Sequence, residues 1–209
     1  HPLKSITSGE GGLITTNSSD IAKKLRLFRS HGIEKNNSNW LKDKKNYDNS
    51  KKPNVWYYQV QKVGLNYRLS DINCALAYSQ LNKLKKFILD RKKISRFYNK
   101  FFSSYKVFSI QKNKIENSSC HLYSLKIPFK KLRIDRNKFM KYLLDNKITT
   151  QVHYIPIYYH PVFKYLRKKW FIGTEKYYSD VISLPIYYKL NYSKIKYICK
   201  TILKMINKK

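Results

Sequence analysis

Lys4 stands just ahead of a polar, glycine-rich stretch: His1-Pro2-Leu3-Lys4-Ser5-Ile6-Thr7-Ser8-Gly9-Glu10-Gly11-Gly12, followed by the β-type run Leu13-Ile14-Thr15-Thr16. Gly9, Gly11 and Gly12 allow positive φ and close backbone approach, so the stretch can turn tightly and be partly buried. A lysine held against such a turn loses hydration. Desolvation penalises the ammonium and leaves a neutral amine able to attack a carbonyl, the setting a Schiff-base lysine needs. Read on its own residues alone, Lys4 is first of all one of many solvated lysines.

Two further stretches carry groups suited to holding a polar ligand. In Gly64-Leu65-Asn66-Tyr67-Arg68-Leu69-Ser70-Asp71, the Asn66 amide suits phosphate or sugar oxygens, and Arg68 suits a carboxylate. The plainer alternatives are a turn residue and an interface ion pair. In Gln151-Val152-His153-Tyr154-Ile155-Pro156-Ile157-Tyr158-Tyr159-His160-Pro161, aromatic rings, an amide and histidine suit recognition of a sugar and its diphosphate. His153 and His160 lack a third nearby ligand, so no metal site is expected. His31, in Arg29-Ser30-His31-Gly32, could approach a substrate or simply end a helix. Cys74, Cys120 and Cys199 form no CxxC pair and read as incidental thiols in a reducing, cytoplasmic compartment.

The elements that would position these groups follow from periodicity. A helix is expected over 18–32, capped by Ser18 or Ser19, with Ile21, Leu25 and Phe28 on one face and Gly32 at its end. Residues 34–54 are polar and read as a flexible surface loop. A long helix opens at Ser70 and runs to about Phe102. Ile72, Leu76, Leu84, Ile88 and Phe97 form its apolar stripe, and Asp90 and Arg91 begin a solvated basic face. The cluster Phe97, Tyr98, Phe101 and Phe102 reads as core. Alternation of Tyr123, Leu125, Ile127 and Phe129 with polar residues predicts a strand. Asp135 should cap a helix with Phe139, Met140, Leu143 and Leu144 inward. A strand over Thr149–Pro156, a helix after Thr174, the apolar run Val181–Pro185 and a last helix capped by Ser193 complete a small α/β domain with a partly antiparallel sheet.

The chain has 209 residues and a formal net charge of +32. Its 36 lysines far outnumber its 8 arginines, and it holds 21 Ile, 19 Tyr and 17 Asn against 3 Ala. The enriched residues have A/T-rich codons, so the charge reads as genomic bias spread over the surface. A dedicated phosphate-binding face would favour the arginine fork, and no nucleic-acid-binding motif is present. Specific nucleic-acid binding is therefore not expected. No apolar run is long enough to span a bilayer and no signal-peptide pattern opens the chain, so no membrane partner is expected either.

The lysine stretch, Gly64–Asp71, Arg29–Gly32 and the Val152-His153-Tyr154-Ile155-Pro156 segment occur in the order seen in the DegT/DnrJ/EryC1/StrS family of nucleotide-sugar aminotransferases, which they resemble. Ser183-Leu184-Pro185 resembles a further family motif, read here as packing. The resemblance implies an α/β fold: the C-terminal part of a fold-type I PLP-dependent transferase, comprising the end of the large domain and a small α/β domain. On this reading residues 1–69 are the remnant of the large PLP-binding domain, 70–102 the linking helix and 103–209 the small domain. The chain is expected to be the C-terminal half of a longer enzyme, as a partial sequence or a truncated and inactive remnant, and the piece alone is expected to bind the cofactor poorly. The implied cofactor is pyridoxal 5′-phosphate, carried by Lys4, with Asn66 reaching across a homodimer interface to the neighbouring site. Gln151, Val152, His153 and Tyr154 would line the sugar site. The His153 segment resembles the branch that makes the 4-amino precursor of pseudaminic acid, which implies a UDP-linked 4-keto-6-deoxy sugar as acceptor and L-glutamate as donor. Perosamine-type and 4-amino-arabinose-type aminotransferases are the competing readings. Dehydratases of the family carry histidine in place of the lysine, so Lys4 argues against them.

Overall fold

The computed structural model describes residues 4–42, 44–112, 114–166 and 171–207, so His1, Pro2 and Leu3 of the first motif lie outside the described residues. The chain divides into two compact units, one formed by residues 6–80, the other by 81–207 together with Lys4 and Ser5.

In the first unit Ser18 caps helix α1 (Ser19–Arg29), accepting from the Ile21 N–H. Strand β1 (Ile33–Glu34) pairs antiparallel with β2 (Gln59–Val60), Ile33 opposite Val60. Two glycines make this junction possible. Gly32 has φ of +73°, and a Cβ there would lie 1.7 Å from the Lys62 carbonyl oxygen. A Cβ on Gly64 would lie 2.3 Å from the Gly32 nitrogen. Only glycine allows two backbones this close, with positive φ at one of them.

The expected loop over 34–54 is instead pinned by amide side chains that imitate a strand partner. Gln59 both accepts from the Leu41 N–H (2.8 Å) and donates to the Leu41 carbonyl (2.7 Å). Gln61 donates to the Asn39 carbonyl, and the fully buried Asn46 to that of Leu41. Leu13–Thr16, a β-type run by composition, is not a strand and lies exposed. Strand propensity gives no strand without a ladder to join.

The second unit is built on helix α2 (Asp71–Ser103), most of which it contains. Its buried face is Arg91, Ile94, Ser95, Tyr98 and Phe102, spaced at three and four residues as one helical stripe requires. That corrects two expectations. Ile72 is 82% exposed, so the early stripe is not core. Arg91 does not open a solvated face; it is buried, donating to the carbonyls of His121 (3.1 Å) and Ile186 (2.9 Å). Those carbonyls lack ladder partners, and the guanidinium supplies the donors they need.

Strand β3 (Tyr123–Lys126) pairs antiparallel with β4 (Val181–Leu184), Tyr123 opposite Leu184. Single bridges extend the sheet, Ser109 to Lys126 and Gln151 to Ser183. The strand expected over Thr149–Pro156 is thus reduced to one bridge, after which the chain turns into short 3₁₀ turns at Ile157–Tyr159 and Pro161–Phe163. Proline cannot continue a ladder. Helices α3 (Phe129–Leu132), α4 (Arg136–Asp145), α5 (Ile172–Asp180) and α6 (Tyr192–Asn207) complete the unit. Phe102, Leu125, Ile127, Phe139, Leu143, Ile182 and Ile202 are fully buried in one core. Leu144, expected inward, is 57% exposed. Ser193 does not cap α6; Asn191 does, accepting from the Lys194 N–H and from the Ser193 hydroxyl, both at 2.9 Å.

Asp135 caps α4 as expected, accepting from the Lys138 N–H at 2.7 Å. Asp135→Ala should destabilise the protein by about 1 kcal/mol, measured by urea unfolding, because it leaves that donor to water alone.

Candidate functional site

The segment Gly64–Arg68 runs beside the end of α1. The His31 N–H donates to the Leu65 carbonyl (2.9 Å), the Leu65 N–H to Phe28 (2.8 Å) and the Tyr67 N–H to Arg29 (2.9 Å). Ser30 and Asn66 form a bridge. Two stretches singled out in the sequence, Arg29–Gly32 and Gly64–Arg68, are therefore one structure, and His31 contributes its backbone to it. Asn66 is exposed, and among the described residues its carboxamide makes no hydrogen bond. Arg68 is also exposed and has no carboxylate partner among the described residues. Both side chains are free to reach a ligand.

In the second unit β4 sets the geometry. The Ser183 N–H donates to the Gln151 carbonyl (2.7 Å) and the Ser183 carbonyl accepts from the Gln151 N–H (3.3 Å). This fixes the start of the Gln151–Tyr154 segment. Nδ1 of His153 lies 2.8 Å from the Ser183 hydroxyl oxygen. The Tyr154 ring stands edge-on to the imidazole at 4.6 Å and is 68% exposed. Gln151 is exposed and Val152 half-buried. The other tyrosines of the segment are committed elsewhere: Tyr158 and Tyr159 both donate to the Glu175 carboxylate, and Tyr158 stacks on Phe171. Of the three tyrosines that suggested sugar recognition, Tyr154 is the one left open.

Two cations, Lys4 and Arg91, act on the two histidines here. Partial burial first, and then the charge of Lys4, pull the His153 imidazole below its ordinary value. His121 is lowered by burial first, then by Arg91, Lys4 and His153 in turn. Both rings are therefore neutral at pH 7. Nδ1 of His121 is buried and has no hydrogen-bond partner among the described residues. Sequence reasoning missed His121, which reads as one more polar position of an alternating strand, and missed Ser183, read as packing. No spacing signal links either to His153, because the sheet, not the sequence, makes them neighbours.

Lys4 is exposed, which corrects the expectation that the glycine turn desolvates it. The turn packs elsewhere: a Cβ on Gly11 would lie 2.9 Å from Leu69 Cδ1, and one on Gly9 3.7 Å from Asn73 Oδ1. Among the described residues no three His, Cys, Asp or Glu side chains gather as metal ligands, and no helix is long and apolar enough to cross a membrane.

Fold and motifs together define part of a fold-type I PLP-dependent transferase. More narrowly, the chain belongs to the DegT/DnrJ/EryC1/StrS aminotransferase family, whose family model matches residues 1–203. It is 31% identical over 210 residues to the UDP-4-amino-4,6-dideoxy-N-acetyl-beta-L-altrosamine transaminase of Campylobacter jejuni, covering 100% of this chain and 51% of that protein. It is 32% identical to the uncharacterised protein MJ1066 of Methanocaldococcus jannaschii, covering 99% of this chain and 52% of that one. Among solved structures, Helicobacter pylori PseC, an aminotransferase of pseudaminic acid biosynthesis, matches with a TM-score of 0.74 at 28% identity, covering 93% of this chain and 48% of PseC. The chain spans about half the length of the curated relatives it matches.

The family implies pyridoxal phosphate as cofactor. The chemistry of the residues fits it in each unit taken by itself: in the second, Lys4 offers an exposed primary amine with no carboxylate partner among the described residues, and in the first, Asn66 offers an amide, unpaired among the described residues, suited to a phosphate oxygen.

Proposed function

We propose that this chain is the C-terminal part of a PLP-dependent transaminase that moves the amino group of L-glutamate to C4 of a UDP-linked 4-keto-6-deoxy-N-acetyl sugar. The product would be a 4-amino sugar nucleotide for a surface glycan of the pseudaminic acid kind. The observation that carries the reading is the match of the aminotransferase family model over residues 1–203, which takes in both Lys4 and the Gln151–Tyr154 segment. The 31% identity to the Campylobacter jejuni transaminase over the whole chain supports the substrate.

Lys4 would hold the cofactor through its Nζ until the amine of glutamate displaces it and frees that nitrogen to act as a base. When bound, pyridoxal phosphate supplies an aldehyde and an electron sink. Lys4 Nζ takes a proton from the α-carbon of glutamate and, in the return half-reaction, delivers one to C4 of the sugar. Gln151, Val152, His153 and Tyr154 line the sugar site, with the exposed Tyr154 ring offering a face to the pyranose. Asn66 serves the site of a second copy in a homodimer, where its amide meets phosphate or sugar oxygens.

In this account residues 1–69 end the large domain, 70–102 link and 103–209 form the small domain. The apolar side chains that residues 6–80 leave exposed, among them Leu13, Val55, Trp56, Val63 and Tyr67, support further polypeptide packing there. The enzyme works in the cytoplasm, in keeping with the free thiols of Cys74, Cys120 and Cys199. It engages neither a membrane nor nucleic acid specifically.

A coupled assay of the enzyme with UDP- and GDP-linked 4-keto sugars tests the substrate. Glutamate-dependent amination of the UDP-N-acetyl sugar, with kcat/KM at least about 10-fold above any GDP sugar, is expected for a site that bonds the nucleotide and acetamido groups. Preference for a GDP sugar would move the protein to a perosamine-type activity.

A further inference from the structure

We infer that Ser183 is a positioning residue for His153: its buried hydroxyl donates to Nδ1 and fixes the Nε2–H tautomer, leaving Nε2–H as a set donor for an oxygen of the bound sugar nucleotide. The inference rests on the reading that Gln151–Tyr154 lines the sugar site.

The direction of the hydrogen bond follows from bookkeeping of donors. Ser183 is 5% exposed and sits in β4, held by its own main-chain bonds to Gln151. A buried hydroxyl needs an acceptor for its proton. Among the described residues its sole partner is Nδ1 of His153, 2.8 Å away. The hydroxyl is therefore the donor, Nδ1 is unprotonated, and a neutral ring must carry its proton on Nε2. The surroundings keep the ring neutral. Partial burial disfavours the charged ring first and the charge of Lys4 adds to it, while Arg91, Lys4 and His153 act in turn on His121. A neutral ring with Nε2–H donates to carbonyl, hydroxyl or phosphate oxygens. A keto sugar nucleotide presents such oxygens on its diphosphate, its hydroxyls and its carbonyls. The backbone of Ser183 thus sets where the Gln151–Tyr154 segment starts, and its side chain sets what His153 can offer.

The test uses the protein labelled at its histidine nitrogens and long-range proton–nitrogen NMR across a pH titration, with His153 assigned by comparison with His153→Gln. A pyridine-type Nδ1 and a pyrrole-type Nε2 are expected throughout the neutral limb. In Ser183→Ala the tautomers should mix. The His153 midpoint should rise by about half to one pH unit, because a donor to Nδ1 favours the neutral ring. Ser183→Thr, which keeps the hydroxyl, should restore both. An Nδ1–H ring in the unsubstituted protein, or a lowered or unchanged midpoint in Ser183→Ala, would overturn the inference. The unsubstituted protein decides the tautomer even if Ser183→Ala does not fold. No substrate is needed, so a missing transaminase activity is a separate result.

Discussion

Lys4→Arg is expected to reduce glutamate-dependent transamination by about 10²–10⁴-fold or more, the range that proton transfer by one positioned side chain contributes. Arginine keeps the positive charge and much of the length, so a purely electrostatic or structural role would survive it. What it cannot do is shed its proton near neutral pH, so it neither holds an aldehyde covalently nor shuttles a proton. The fold should be indifferent to the change. Lys4 is exposed, and substitutions of that kind are worth within about 0.5 kcal/mol. Unchanged thermal unfolding with lost turnover is thus the expected pair of results. Full activity in Lys4→Arg would remove the lysine from the mechanism.

Phe102→Ala is expected to cost about 3–5 kcal/mol, the range for deleting a large aromatic ring from a packed core. Phe102 is wholly buried at the end of α2, with ring centroids 4.9 Å from Phe108, 5.3 Å from Phe101 and 6.0 Å from Tyr98. Loss of the ring leaves a cavity that these neighbours can only partly fill. Against a total stability of about 5–15 kcal/mol this is a large fraction, and the thermal midpoint should fall by about 6–20 °C. A loss below about 1 kcal/mol in urea unfolding would mean that this aromatic cluster is not the centre of the second unit.

Much of the second unit is legible in the sequence because its signals are local. The Asp135 cap, the period of α6 and the apolar run of β4 each declare themselves within a few residues. What resists reading is whatever depends on distant partners. Arg91 carries a charge, and charge argues for solvent; its burial is decided by carbonyls 30 and 95 positions away. Ser183 looks like packing until the Gln151 bridge brings His153 beside it. The polar run 34–54 has the composition of a loose loop, yet Gln59 and Gln61 pin it with amides no periodicity reveals. The chemistry-bearing motifs were easier to find than their geometry. Lys4, Asn66 and His153 stand out by motif, while the hydration of Lys4 and the tautomer of His153 follow only from what surrounds them.

The central claim is that Lys4 carries pyridoxal phosphate. Reducing the purified protein with borohydride and mapping its peptides by mass spectrometry tests this directly. The account predicts one phosphopyridoxyl group, on the peptide containing Lys4. A group fixed on another of the 36 lysines, or none on a protein that still transaminates, would contradict it.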